Sequence, residues 1–345
     1  MTIAKIGQTT TSLTEKILTN KNVLNTLAKV SEHGTTFSAG TALAMSTIVR
    51  PLAINTTPNV EKENKQYAMA NSIGSGIIKF GLIEAIALPI EYAVKKIDKT
   101  PEKYLKQDTI KTLTKPAQSI SEAKPYRLLT QIIKLSTGFF TAIPKSMLTI
   151  ALIPIIMDKI FTKKVSKEEN KPDISNIYNK IKNRNVHFTG RITDSLPKAI
   201  GKLLDNQPIQ NFANKFQNKD NDIAKHITAS TDLLLTGSFA YQTNRSKKIE
   251  ENRKKVLIYN NWIATGITIA GGYLLDNVVK KGSSGLIEKF KRLNHNDPRL
   301  GKYIEGLNII RPAVIFAGIY YGILPIVSTY LSERVDKFVQ KQQNK

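Results

Sequence analysis

From residue 256 to 275 the chain reads VLIYNNWIATGITIAGGYLL, and from 312 to 332 it reads PAVIFAGIYYGILPIVSTYLS, in both cases without one Asp, Glu, Lys, Arg or His. As a helix, each run reaches across a hydrocarbon core of roughly 30 Å. A chain with two such runs either inserts them in lipid or buries them whole. Blocks 69–94 and 131–157 are as long but carry Lys79, Glu84 and Glu91 in the first, and Lys134 and Lys145 in the second. Two shorter blocks, 34–49 and 227–241, are rich in small residues, and the second contains Asp232.

Apolar periodicity alone does not separate lipid-embedded helices from the buried helices of a soluble domain. The small residues do more. Gly40 and Ala44, Ser72 and Gly76, Gly266 and Ala270, and Gly318 and Gly322 stand four apart, the spacing at which helix backbones approach closely in membranes. In water each interior glycine costs a helix about 1 kcal/mol relative to alanine. The expectation is an all-α, membrane-embedded bundle, with Gly76, Gly266, Gly318 and Gly322 as candidate packing positions.

A second pattern organises the blocks. NSIGSGI at 71–77 returns as NWIATGI at 261–267; EYAVKK at 91–96 faces DNVVKK at 276–281, and EKYLK at 102–106 faces EKFKR at 288–292. The offset drifts from 190 to 185 or 186. Chance similarity between Lys- and Ile-rich segments is the alternative, and several matches in order weigh against it. The division that follows is an amphipathic segment at 1–33, a three-helix repeat at 34–161, a basic linker with short helices at 162–226, a second three-helix repeat at 227–338, and a tail at 339–345. An odd number of crossings per copy would turn the second copy upside down, as in transporters that bind substrate between inverted repeats. Pro154 and Pro325 are expected in equivalent turns.

Ionisable groups inside apolar helices are costly and often functional, which makes Lys79, Glu84, Lys145 and Asp232 the candidate polar residues. Snorkelling of the lysine stems to the interface is the plain alternative. Five residues separate Lys79 from Glu84, a spacing that puts them on different helix faces. Glu91 and Asp276 correspond in the echo and read as solvated carboxylates at helix ends.

Catalytic chemistry finds no carrier. GSG at 74–76 lacks the remainder of a dinucleotide or phosphate-loop fingerprint, the four histidines form no zinc pattern, and no Gly-x-Ser-x-Gly elbow occurs. No cofactor or metal is expected. The chain has no cysteine, which excludes disulfides and thiolate sites.

The formal net charge of +24 calls for an anionic partner. The lysines are spread over every loop with acids among them, which suits anionic lipid headgroups better than a focused nucleic-acid surface. Residues 1–30 lack the apolar core and cleavage site of a signal peptide. Counting Lys and Arg loop by loop favours a multi-pass protein with both termini cytoplasmic. The functional expectation is an uncharacterised, non-enzymatic integral membrane protein with a structural or transport role and possible protein or homo-oligomer partners. The alternative is a soluble or peripheral basic helical protein that binds nucleic acid or anionic membrane surfaces.

Overall fold

The computed structural model describes residues 13–58, 62–114, 119–161, 191–246 and 251–327, and among these every regular element is helical. In chain order they are α1 (Lys21–Glu32), α2 (Gly34–Ala44), a π turn (Met45–Val49), α3 (Arg50–Thr56), α4 (Lys62–Lys99), α5 (Gln107–Thr114), α6 (Lys124–Leu135) and α7 (Thr137–Phe161). There follow α8 (Arg191–Leu204), α9 (Gln207–Phe216), α10 (Asp220–Arg245), α11 (Glu251–Gly282), α12 (Ser284–Leu293), α13 (Leu300–Gly318) and a second π turn (Ile319–Ile323). Pro154 and Pro325 lie in helical segments and not in turns, which corrects that expectation.

Six long segments close a ring in the order α2–α3, α4, α7, α10, α11, α13 and back to α2. Their directions follow from side-chain neighbours. His33 meets Glu91 while Ser46 meets Ser72, so α2 and α4 are antiparallel. Lys225 pairs with Asp276 and Thr236 with Thr265, which makes α10 and α11 antiparallel as well. By contrast Gly138 abuts Thr231 and Ser146 bonds Ser238, so α7 and α10 run the same way. Gly34 lies against Ile309 and Gly322 against Val49, so α2–α3 and α13 are also parallel.

The two triplets, α2/α4/α7 and α10/α11/α13, therefore share one sense. The inverted arrangement expected from three crossings per unit is corrected: the end of α7 and the start of α10 lie at opposite ends of the bundle. A 25-residue helix separates those ends by about 37 Å. Helix α1 sits at one end, here called basal, and the second π turn reaches the other, distal end.

The basal end is a packed cap. Asn20 starts α1 by accepting bonds from the N–H groups of Asn22 and Val23 at 2.8 and 3.4 Å, which satisfies donors that an uncapped helix leaves open. The apolar face of α1 buries Leu24 and Leu27 against Phe290 and Tyr303. Much of the segment expected as a linker belongs to this cap. Ile200, Leu204 and Ala213 of α8 and α9 are buried with Ile97, Leu105, Leu113 and Tyr126, and Lys106 donates its N–H to Asp205 at 3.0 Å. Residues 162–190 lie outside the described part.

Three described stretches are long and apolar enough to cross a membrane: Gly34–Thr56, Ala68–Lys99 and Leu300–Val327, with mean hydropathies of 1.3, 1.7 and 1.7. The 256–275 run on α11 is not among them, although its sequence has no charge. Only 11, 17 and 33% of their most apolar windows is buried, so these helices use little of their hydrophobic surface to hold the bundle together.

Candidate functional site

Where the ring closes, its interior is polar. Ser72 donates its hydroxyl to the Ser46 carbonyl at 2.7 Å, and the hydroxyls of Thr236 and Thr265 stand 2.6 Å apart, as do those of Ser146 and Ser238. The large side chains that face outward are apolar: Ile48, Leu52, Ile77, Leu88, Phe140, Trp262, Leu274 and Val278 are all at least 44% exposed. A water-soluble bundle has the reverse distribution.

Within the ring lies a cavity of about 320 Å³, bordered by all six long segments. Lys79 enters it from α4, Lys145 from α7, Asp232 from α10 and Arg50 from the junction of the first π turn with α3. Lys145 is only 7% exposed; it is directed inward and does not snorkel. Arg50 lays its guanidinium over the Tyr320 ring, 5.5 Å from the centroid, a favourable cation–π arrangement. Its Nε is buried and has no hydrogen-bond partner.

Three of the four polar candidates thus meet at one place, and Glu84 does not. It faces α2, where Thr36 Oγ1 lies 3.1 Å from Glu84 Oε2 and 3.2 Å from Glu91 Oε2. Glu91 also accepts the Thr36 N–H at 3.3 Å and stands 2.8 Å from His33 Nδ1. It supplies the start of α2 with an acceptor, since His33 at the cap position makes no side-chain cap bond.

Glu91 and Asp276 are not solvated, as their place beside the lysines suggested; they are 3 and 0% exposed. Asp276 Oδ1 accepts from Arg311 Nε at 2.6 Å, and Asp276 Oδ2 lies 2.9 Å from Lys225 Nζ. That cluster ties α10, α11 and α13 together at the basal end. Each carboxylate is buried because the bundle brings cations or backbone donors to it from other helices, which neighbours in sequence do not reveal.

Of the candidate packing glycines, one fits. A Cβ at Gly76 would overlap Ser46 Oγ, whereas a Cβ at Gly322 would make ordinary contact with Val49 at 3.6 Å. Gly266 and Gly318 face open space. The four-residue spacing marks a face of the helix but not whether a neighbour lies on it. Other close approaches involve glycines the spacing did not mark, among them Gly201 on the Tyr104 carbonyl, Gly306 on the Leu27 carbonyl and Gly272 on the Phe316 ring.

A second cleft, of about 220 Å³ at the basal end, is lined by acids and bases in near balance. Glu32 lies 3.2 Å from Lys302 and 3.7 Å from Lys95. Burial opposes its ionisation, yet the two lysines, Lys302 foremost, hold its carboxyl below the usual range. Tyr126, buried and donating to Asp98 at 2.6 Å, is pushed well above the ordinary phenol range by burial and by that carboxylate. Among the described residues no three His, Asp or Glu side chains gather as metal ligands.

Sequence reading missed Arg50, Tyr320 and Tyr321 as cavity residues. The apolar block read from the sequence ends at Val49, which leaves Arg50 outside it. Pro51, Leu52, Ala53 and Ile54 continue that block, and counting them would have placed Arg50 inside it. No family model matches the chain, and no curated protein and no solved structure matches it.

Proposed function

We propose that this chain is a non-enzymatic integral membrane protein whose bundle holds a solute between its two helix triplets, a transport role in preference to a structural one. One observation carries the reading: the bundle encloses Lys145, Arg50 and a set of hydroxyls while turning Ile48, Leu52, Ile77 and Leu88 of the α2–α3 segment and α4 outward. In water both choices are unfavourable, because the interior polar groups lose hydration and the outer faces order water. In lipid the outward residues are solvated, and a wet cavity is where intramembrane charges are found. A structural bundle would close the space between the triplets with apolar packing.

Common origin of the triplets is part of the proposal. Ser75 on α4 and Thr265 on α11, which align at the 190-residue offset, are both buried at the cavity, and Glu91 and Asp276, which align at 185, are both buried at the basal end. The drift of five residues lies between those two pairs. The correspondence is incomplete, since at the same 190-residue offset Ser72 is buried while its counterpart Trp262 is exposed.

Residues 162–190 restrict how the bilayer meets the bundle. They carry ten charges, and the helices on either side place their ends at opposite ends of the ring. Each Lys, Arg or Asp at the bilayer centre costs about 2.5 to 3.5 kcal/mol. Lipid therefore lies against the arc of α13, α2–α3 and α4, which contains the three qualifying stretches. The flank of α7, α10 and α11 meets water or protein, a second copy of the chain included. The basic loops are matched to anionic headgroups at the bilayer surface.

The ten charges of that linker favour a second reading, a peripheral basic bundle bound to anionic membranes or nucleic acid. Alkaline carbonate extraction of expressing membranes separates the two. Retention in the pellet is the expected result; release into the supernatant assigns the chain to the second reading.

A further inference from the structure

Three cations and one carboxylate border the interior cavity: Arg50, Lys79 and Lys145 against Asp232. The excess is two positive charges in a volume of about 320 Å³, at the low end of the range for small-molecule sites. Lys145 is more than nine-tenths buried. Its ammonium feels Lys79 and Asp232 but makes no ion pair or hydrogen bond with either. The buried Nε of Arg50 is a second donor without an acceptor. Uncompensated buried cations and unmet donors are both costly. Two buried lysines of the basal clusters show the contrast to Lys145, since Lys225 reaches Asp276 and Lys134 reaches the Ser31 carbonyl.

We propose that the cavity is a binding site for a small free dianion, a dicarboxylate or a phosphate-bearing solute, held by Arg50, Lys79 and Lys145. This deepens the transport reading and rests on it for what the site is used for, though not for the binding itself. Two negative charges would neutralise the excess, and separated acidic oxygens would meet cations that arrive from three different helices. The guanidinium offers a planar, bidentate fork, while the two ammonium groups act as point charges. Hydroxyls of Ser75, Thr236 and Tyr321 line the remaining wall and supply neutral donors. Asp232 opposes the ligand on one side, which selects against larger polyanions and gives the site a direction.

The test uses the full chain purified in an uncharged detergent, with thermal unfolding followed at constant ionic strength set by chloride. Succinate and inorganic phosphate are the probes, with choline chloride as the cationic control. The expected result is a saturable rise in Tm with succinate or phosphate and none with choline chloride. Lys145→Gln and Arg50→Gln should each weaken the apparent affinity by about tenfold or more. Asp232→Asn should tighten it, an outcome that poor folding does not imitate. Lys99→Gln, on the basal part of α4 and away from the cavity, should leave it unchanged.

The proposal is overturned if neither dianion gives a saturable shift with the folded protein, if the cavity variants respond as the wild type does, or if Asp232→Asn weakens binding. It is also overturned, in favour of a lipid headgroup, if phosphatidic acid in mixed micelles stabilises the protein and the free dianions do not. Membrane residence is scored separately by carbonate extraction. A retained protein without dianion binding ends this proposal alone, and a released protein that binds dianions ends the membrane reading alone.

Discussion

Gly306 and Gly266 are both helical glycines in apolar settings, and the structure gives them opposite roles. A Cβ at Gly306 would overlap the carbonyl of Leu27, a backbone group that cannot move without shifting α1, whereas one at Gly266 meets nothing within 4 Å. Gly306→Ala should therefore destabilise the protein by about 1 to 3 kcal/mol, and Gly266→Ala should stabilise it by up to about 1 kcal/mol through helix propensity. Parallel melts of the two variants in detergent check the sign of each. Equal losses would mean that α1 does not dock on α13 as described. Glu32 provides a test by pH. Its folded-state pKa is lowered, so its contribution is present above the ordinary carboxylate range and is lost as pH falls through the folded value. The Tm of the wild type should thus decline more steeply between neutral and acid pH than that of Glu32→Gln, and superimposable profiles would remove the Lys302 and Lys95 contacts from the account.

Helix content was legible in the chain, because uncharged runs and four-residue spacings depend only on local sequence. The two π turns were not, although each has a local cause. Arg50 donates its N–H to Met45 and Leu324 donates to Ile319, five residues back in each case, and in each case the following residue is proline. A proline ring clashes with the carbonyl four residues before it, and a widened turn moves that carbonyl aside. The first wide turn also sets the angle at which Arg50 enters the cavity. Pro51→Ala should keep the far-UV helical signal while weakening dianion binding, since reversion to a regular turn rotates Arg50 by about 100° around the axis. Circular dichroism together with the succinate shift measures both. Full binding in a fully helical variant would mean that packing, and not the proline, holds the turn open. Prolines were read from the sequence as turn markers, an inference that fails in long helices whose neighbours hold the backbone in place.

On the scale of the molecule, the echo between 71–77 and 261–267 predicts two three-helix units, whose common origin stands as a proposal, and the relative direction of the two helix triplets was beyond its reach. Counting crossings assumes that a linker stays on the side where the third helix leaves it, whereas α8 packs in the basal cap, at the end from which α7 departs. The gathering of Lys79, Lys145 and Asp232 was foreshadowed by their being charges in apolar blocks, as Arg50 is once its block is extended to Ile54; the separation of Glu84 from them followed from the five-residue spacing, and only the tertiary fold could add the tyrosines.

The central claim is that water-accessible polar groups lie inside this ring and lipid outside it. Ser75 and Ile77, two residues apart on α4, test it directly: Ser75 is 9% exposed and lines the cavity, while Ile77 is 56% exposed on the outer face. The chain contains no cysteine, so Ser75→Cys and Ile77→Cys each create a unique thiol. In intact membranes treated with a small, charged, water-soluble thiol reagent, the account predicts that Ser75→Cys reacts, and more slowly with succinate present, while Ile77→Cys stays unmodified until detergent is added. Faster reaction at Ile77→Cys than at Ser75→Cys before detergent is added would contradict it.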